Sequence, residues 1–234
     1  MRNQWQQFPS LLRPTKRFFR IILLSLTALL SLFFIACNKK VDYFSYVSEL
    51  RSNILCAQTD EYFLSVYAVE KEYPYSLDGV KRETSMRTEI RLLAPSGDKT
   101  YEISFQHNGS TYGGEMSYDN VRAEYYYSCS LDVSSATEID CMLICEDKQV
   151  SLCAKTVKTE NTLSPQNVLA KLQETESELF SSLTDKYGFA GEIYIRLLYE
   201  DFPYYYIGVI DRNGYTSAFL MNGETGKILA RRQG

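Results

Sequence analysis

The chain has 234 residues, with 25 Lys or Arg against 29 Asp or Glu and a formal net charge of −4 at neutral pH. Residues 1–36 carry five basic and no acidic residues, so a chain without them has 20 basic against 29 acidic residues and a net charge of −9. A surface of that sign repels phosphate backbones, and we therefore expect no nucleic-acid partner. The remaining 198 residues are enough for one large or two small domains with a buried core.

Residues 1–36 have the pattern of an export signal. Basic residues precede an uncharged apolar run at 21–36, which stops directly at Cys37. A membrane-spanning helix is the alternative, but sixteen helical residues cover only about 24 Å of a hydrocarbon layer about 30 Å thick. The pattern therefore favours a targeting segment that is separate from the folded protein.

The residues around Cys37 place an aliphatic residue, Ile35, and a small one, Ala36, before the cysteine, while Phe34 stands where Leu is usual. This order resembles the lipobox of bacterial lipoproteins. The resemblance implies that the Cys37 thiol receives a diacylglyceryl group and that cleavage before it makes Cys37 the first mature residue. Two acyl chains anchor a protein firmly, at about 0.8 kcal/mol for each buried methylene. We therefore expect a lipid-anchored protein on the extracytoplasmic face of the cell membrane.

Five further cysteines follow, and an odd number leaves at least one thiol outside any intramolecular disulfide. Cys141 and Cys145 lie roughly 13 Å apart if their segment is a strand, which is too far for a disulfide between them. Because no histidine lies near them, we expect no metal site. With Cys129 they share the apolar face of their strands, which predicts small core residues, although cross-strand pairing stays open. The five are Cys56, Cys129, Cys141, Cys145 and Cys153.

Residues 37–158 alternate between apolar and polar residues with the period of β-strands. The segment 100–107 places Tyr101, Ile103 and Phe105 on one face. The segment 121–133 shows the same alternation of apolar and polar residues. Asn108-Gly109 is typical of a type I′ hairpin turn. About seven strands at this spacing predict an antiparallel, immunoglobulin-like β-sandwich. The predicted strands are 46–59, where a short helix is the alternative, then 61–72, 85–94, 100–107, 111–118, 121–133, 138–146 and 149–157.

Residues 163–234 predict a small α+β unit that follows a polar break at 158–162. Ser164 and Pro165 form a favourable helix start, and apolar residues recur at helical spacing until a predicted end at Gly188. Four alternating segments then predict an antiparallel sheet that the helix covers. The chain is therefore predicted to be mainly β, with two domains after the export signal.

The tail "NGETGKILARR" carries a second family resemblance. Thr225, Gly226 and Ile228 match the last hairpin of the PepSY family and its relatives, whereas Asn222 stands where Asp is common and Gly223 where Ala is common. For residues 163–234 the resemblance implies a non-catalytic envelope module. In some members of that family the module is linked to the restraint of secreted peptidases, so an inhibitor or chaperone of a peptidase is an alternative function.

Candidate catalytic residues are few. His107 is the only histidine, which removes most nucleophile and base combinations, and no glycine-rich phosphate loop follows a strand. We therefore expect no cofactor and no enzymatic activity. The adjacent acids Glu200 and Asp201 leave a carboxylate-based cell-wall hydrolase as the alternative.

Two clusters of three consecutive tyrosines, at 125–127 and at 204–206, indicate a binding surface. Neighbouring residues of a strand point to opposite faces, and the predicted registers place the rings of Tyr126 and Tyr205 outward. Exposed tyrosines suit a protein or glycan partner, since they combine a large contact area with a polar tip. We therefore expect a membrane-anchored, non-catalytic binding protein of the cell envelope.

Overall fold

A computed structural model describes residues 41–72 and 83–234 of the chain. The predicted export signal and Cys37 lie outside the described residues. Residues 42–234 form one compact unit. Within the described ranges, no helix combines the length and the hydrophobicity needed to cross a bilayer.

The first part of the unit consists of strands at the places where the sequence alternates. The segment predicted at 46–59 is a strand over Val47–Gln58, after a short 3-10 turn at Tyr43–Tyr46. Asn108 and Gly109 both have positive φ, 50° and 77°, as a type I′ turn requires. The strands are β1 Val47–Gln58, β2 Phe63–Glu72, β3 Thr84–Leu93, β4 Glu102–His107, β5 Ser110–Glu115, β6 Ser117–Asp119, β7 Glu124–Cys129, β8 Glu138–Cys145 and β9 Lys148–Thr156.

The second part begins with two helices and not with the single helix predicted to reach Gly188. The first helix starts as expected, with Ser164 Oγ accepting a hydrogen bond from Asn167 N. It ends at Thr175, because the backbone of Glu176 leaves helical geometry, with a φ of −112° and a ψ of 38°. The elements are α1 Pro165–Thr175, α2 Ser177–Ser182, β10 Thr184–Asp185, β11 Gly188–Phe189, β12 Gly191–Tyr199, β13 Pro203–Asp211, β14 Thr216–Asn222 and β15 Ile228–Gln233.

Strand β1 joins the two parts into one sheet. It pairs along one edge with β2, and its other edge is divided between two strands. Residues 47–51 pair with β12 in parallel, whereas Leu55 and Cys56 pair with β9 in antiparallel fashion. The sheet therefore runs β15-β14-β13-β12-β1-β2-β3-β7-β6, and β9, β8, β4 and β5 branch from β1.

The strands β1 to β9 curl around the larger core. Its centre holds side chains from several strands that are almost fully buried, including Leu55, Leu64, Ile90 and Tyr101. The two ends of the curl approach each other where the hydroxyl of Tyr127 in β7 donates to the carbonyl of Gly113 in β5. A side chain at Gly113 would collide with the backbone of Ile103 and Ser104 in β4, so the pairing of β4 with β5 requires glycine at this position.

Three of the cysteines fill space in this core, as predicted. Cys141 and Cys145 are buried, and Cys129 packs against the same cluster while half-buried. Burial raises the pKa of the Cys141 thiol to about 12, which keeps it protonated and apolar. None of the five cysteines in the described residues takes part in a disulfide.

A second core lies between the helices and the strands β12 to β14. Val168 and Leu172 of α1 are fully buried, together with the alternate residues Ile193 and Ile195 of β12. Tyr205 of β13 reaches across this layer, and its hydroxyl donates to the carbonyl of Leu163 at 2.8 Å. Burial raises the pKa of Tyr205 well above its usual range.

The mainly β architecture predicted from the sequence is confirmed. The immunoglobulin-like sandwich and the separate α+β unit are not confirmed. The sheet is continuous between the two segments predicted as domains, because residues 47–51 of the first pair with β12 of the second.

We expect Tyr205→Phe to lower the free energy of unfolding by about 1–3 kcal/mol, because the buried carbonyl of Leu163 would lose its donor. Urea denaturation of residues 37–234 carrying Cys37→Ala measures this loss. Tyr215→Phe is the matched control, since Tyr215 is 67% exposed and should leave the unfolding free energy unchanged. Equal stability of the Tyr205 variant and its parent would contradict the assigned role of this bond.

Candidate functional site

The sheet face that is turned away from both cores carries the charged and aromatic residues that form the candidate site. Along β1, Leu55 and Ala57 enter the larger core, whereas Glu49, Ile54 and Cys56 lie on the opposite face. A bulge between Arg51 and Asn53 shifts the register of β1 against β2. The face continues across β12 and β13 because the same sheet connects them.

Glu49 and Arg196 form a two-pronged ion pair between the paired strands β1 and β12. Arg196 Nε lies 2.7 Å from Glu49 Oε1, and Arg196 Nη2 lies 2.8 Å from Glu49 Oε2. The Glu49 side chain is buried, so burial raises its pKa, but the hydrogen bonds and charge of Arg196 outweigh that effect. The pKa of Glu49 is therefore held below its ordinary value of 4.5. The pair fixes the register between the two parts of the fold.

A second set of charges crosses β2, β3 and β7 on the same face. Buried Glu89 accepts from Lys71 at 3.2 Å and lies 3.7 Å from Arg91. The other end of the Arg91 guanidinium donates to Glu124 at 2.7 Å. Each of these two carboxylates is therefore matched by a basic partner within the sheet.

Arg51 lies between these two sets and differs from both. Its guanidinium carbon lies 4.4 Å from the centroid of the Tyr67 ring, a cation–π contact. Its buried Nε has no hydrogen-bond partner, as is also true of Arg91 Nε, but unlike Arg91 it forms no ion pair with any residue in the described ranges. Burial lowers the pKa of Arg51, and the positive charges of Arg91 and Arg196 lower it further, against the opposing effects of Tyr67 and Glu49.

The β1 cleft opens where β12 separates from β1. Arg51 and Arg196 are the last residues paired between these strands, and β9 then takes the free edge of β1. The divergence leaves a concavity of about 500 Å³, a volume within the range of small-molecule sites. Its walls come from β1, β2, the adjoining ends of β12 and β13 with the turn between them, and β14. The lining residues are Arg51, Ile54, Cys56, Phe63, Ser65, Tyr67, Leu198, Tyr199, Glu200, Tyr204 and Leu220.

Apolar and weakly polar groups make up most of the β1 cleft. The Cys56 thiol lies 3.9 Å from the Ser65 hydroxyl on neighbouring strands. Burial raises the pKa of Cys56, so its thiol is the protonated, weakly nucleophilic form at neutral pH. Charge within the cleft is thus confined to Arg51 and to Glu200, which is solvent-exposed in the β12–β13 turn.

A second concavity of about 450 Å³ lies on the outer side of β4 and β8 and contains two acids, Glu138 and Asp140. Both residues are exposed to solvent. A carboxyl group that acts as a general acid near neutral pH depends on a desolvated environment, which these positions do not provide. The described residues contain no group of three or more His, Cys, Asp or Glu side chains arranged to hold a metal ion.

The residues predicted as binding tyrosines lie in different environments. The expectation of an outward ring is wrong for Tyr205, which is 0% exposed. Its neighbours Tyr204 and Tyr206 occupy the outer face instead, because Tyr205 pairs across the sheet with the buried residues Leu197 and Met221. Tyr126 does lie on the outer face, half-buried and opposite Arg91, but it does not line the β1 cleft.

The other sequence candidates are spread apart. Of the two adjacent acids, Glu200 lines the β1 cleft and Asp201 does not. His107 is the last residue of β4, as predicted. The lipid-attachment residue Cys37 lies outside the described residues, and its role stays a prediction.

The central charged residues Glu49, Arg51 and Arg196 were not predicted from the sequence. Alternating charges in "SELRS" are also typical of a strand face in contact with water, and Arg196 follows 147 residues after Glu49. The available signal was that Arg196 interrupts an otherwise apolar run, "IYIRLLY", in a strand predicted to be covered by a helix.

Comparison of the chain with known protein families, with curated proteins and with solved structures found no match.

The Glu49–Arg196 pair predicts a pH-dependent contribution to stability. Because the pKa of Glu49 is lower in the folded protein, this contribution is complete above about pH 4.5 and is lost as the pH falls through the folded-state pKa. We expect Glu49→Gln to lower the unfolding free energy by about 1–3 kcal/mol at pH 7 and by progressively less below pH 4.5.

Urea denaturation of parent and variant between pH 7 and pH 3 measures the difference. Glu174→Gln removes an exposed carboxylate of α1 and serves as the control, with no expected change at pH 7. A stability difference that is independent of pH would contradict the assigned ion pair.

Proposed function

We propose that this chain is a lipoprotein anchored through Cys37 on the extracytoplasmic face of a bacterial cell membrane. In this proposal it binds a small ligand in the β1 cleft without converting it. The observation that supports ligand binding best is that a cleft of about 500 Å³ is lined by Arg51, whose buried Nε has no protein acceptor. Desolvating such a donor costs free energy, which a bound ligand with an acceptor would recover.

The position of the folded unit supports the anchor. The unit begins at Asp42, five residues after Cys37, so the connecting chain reaches at most about 18 Å. A lipid on Cys37 would therefore keep the folded unit close to the bilayer surface. The net charge of −9 after removal of residues 1–36 disfavours electrostatic attachment to anionic lipids, which leaves acyl chains as the source of membrane affinity.

The character of the β1 cleft supports binding without chemistry. Its single thiol, Cys56, has a raised pKa, and Glu200 is the one carboxylate among its lining residues. A hydrolase that uses two carboxylates needs both beside the same bond. The two acids of the outer concavity are exposed, so we prefer a binding function to the hydrolase alternative.

The C-terminal hairpin favours a second candidate function, that of a PepSY-like inhibitor or chaperone of a secreted peptidase. Asn222 Oδ1 accepts from the backbone N–H groups of Glu224 and Thr225, at 3.0 and 2.8 Å. An aspartate, common at this position of the family, offers the same acceptor. Gly226 has a φ of 69° and lies so close to Lys171 of α1 that a side chain would collide with it. The motif that resembles the PepSY hairpin thus forms a turn that packs on α1.

Mass spectrometry of the native protein tests the anchor. We expect a mature chain that begins at Cys37 and carries a diacylglyceryl group, and we expect Cys37→Ala to abolish incorporation of an alkyne-labelled palmitate. Cys56→Ala is the matched control and should keep the label. A native chain that begins at another residue, or a labelled Cys37→Ala variant, would overturn the anchor.

Fragment screening by NMR on residues 37–234 with Cys37→Ala tests the β1 cleft. We expect fragments to shift backbone amide resonances of β1, β2 and the β12–β13 turn. Leu220→Trp should abolish these shifts because the larger ring fills the cleft, whereas Leu229→Trp on exposed β15 should preserve them. Fragments that bind elsewhere, or that bind the Leu220 variant equally well, would contradict the assigned site.

A further inference from the structure

Of the neighbouring arginines Arg51, Arg91 and Arg196 on the outer face, Arg51 at the β1 cleft is the one without an ion pair to a described residue. Arg196 is paired with Glu49, and Arg91 is paired with Glu124 and Glu89. Arg51, which lies near both arginines, has no carboxylate partner within the described ranges. Glu49 is the acid closest in sequence, but both of its oxygens accept hydrogen bonds from Arg196.

The geometry around Arg51 determines which groups it can bind. The guanidinium carbon lies 4.4 Å from the centroid of the Tyr67 ring, and the N–H groups of a guanidinium point outward in its own plane, along its edge. A planar carboxylate matches that edge, since two parallel hydrogen bonds can form between them. The buried and unsatisfied Nε shows that no described protein group already occupies this edge completely.

The cleft walls indicate what accompanies the charged group. Ile54, Phe63, Leu198, Tyr204 and Leu220 surround the space beside Arg51 with aliphatic and aromatic carbon. A volume of about 500 Å³ accommodates a molecule with an apolar body as well as a head group. A fully polar ligand would lose its hydration there without compensating hydrogen bonds.

The remaining charges limit the ligand to a single negative charge. Glu200 lines the same cleft, and the chain without residues 1–36 carries a net charge of −9. Both repel a second negative charge on the ligand, which disfavours phosphate esters and dicarboxylates.

We infer that the β1 cleft binds a monocarboxylic acid with an apolar or aromatic body, whose carboxylate pairs with Arg51 while its body contacts Tyr67 and Tyr204. This inference rests on the proposed binding function and assigns the ligand class of that same site. The acid enters as its carboxylate and leaves unchanged, so no covalent step is involved.

Matched probe pairs test the ligand class. In NMR titrations of residues 37–234 with Cys37→Ala, 3-phenylpropionate and octanoate are each compared with their uncharged amides. We expect each acid to shift the resonances of β1, β2 and the β12–β13 turn at about tenfold lower concentration than its amide, because a charge-assisted pair contributes that much. Arg51→Gln should remove the preference, and Arg51→Lys should keep part of it.

Arg212→Gln is the control variant, because Arg212 is an exposed residue in the β13–β14 turn, at the opposite end of β13 from Tyr204. It should keep the full preference for the acid. The folding of each variant is checked by its amide spectrum. If Arg51→Gln does not fold, the acid and amide comparison on the parent chain and on Arg51→Lys decides the question.

The outcomes separate the two proposals. If acid and amide shift the cleft resonances equally, the carboxylate inference is overturned while binding in the β1 cleft stands. If neither probe nor any screened fragment shifts these resonances, the proposed binding function fails, and the inference fails with it. A preference for the acid that survives Arg51→Gln would also overturn the assignment to Arg51.

Discussion

The divided edge of β1 is the constraint on which the rest of the structure depends. One strand has to satisfy backbone hydrogen bonds to β12 at its beginning and to β9 further along, while β2 occupies its other edge throughout. The strands β12 and β9 must separate at the point where β1 changes from one partner to the other, because two strands cannot occupy the same edge position. That separation creates the β1 cleft, so the binding site follows from the way in which the two cores are joined.

The ion pairs of the outer face serve this junction. A parallel pair of strands far apart in sequence has no hairpin to set its register, and the Glu49–Arg196 contact penalises a slip by one residue. The buried carboxylates Glu49 and Glu89 each have basic partners, so the sheet neutralises them internally. Arg51 is stabilised by the Tyr67 ring and by the more distant charge of Glu49, but it forms no ion pair with a described residue. A bound carboxylate would supply that pair, which is the basis of the proposed ligand class.

The sequence predicted local structure well and long-range structure poorly, for physical reasons. Alternation and turn chemistry are local, so the strands from Val47 to Thr156 and the Asn108-Gly109 turn were predictable. The first helix ends where Glu176, a residue type that favours helices, leaves helical geometry, and the burial of Tyr205 depends on its cross-strand partners Leu197 and Met221. The β1 cleft depends on a parallel pairing across about 140 residues, which no local pattern encodes.

The local and global electrostatics of the protein act in opposite directions, and this opposition would make the proposed site selective. Without residues 1–36 the chain has a net charge of −9, which repels anions until salt screens the interaction, within about 10 Å at 0.1 M. Within the cleft, the desolvated guanidinium of Arg51 acts in a low-dielectric environment, where its attraction for an anion is stronger than in water. An anion with an apolar body would therefore gain both the attraction of Arg51 and the burial of its body against the apolar walls. Polyanions meet the long-range repulsion without a second cation to compensate for it, because the neighbouring arginines are already bound to Glu49 and Glu124.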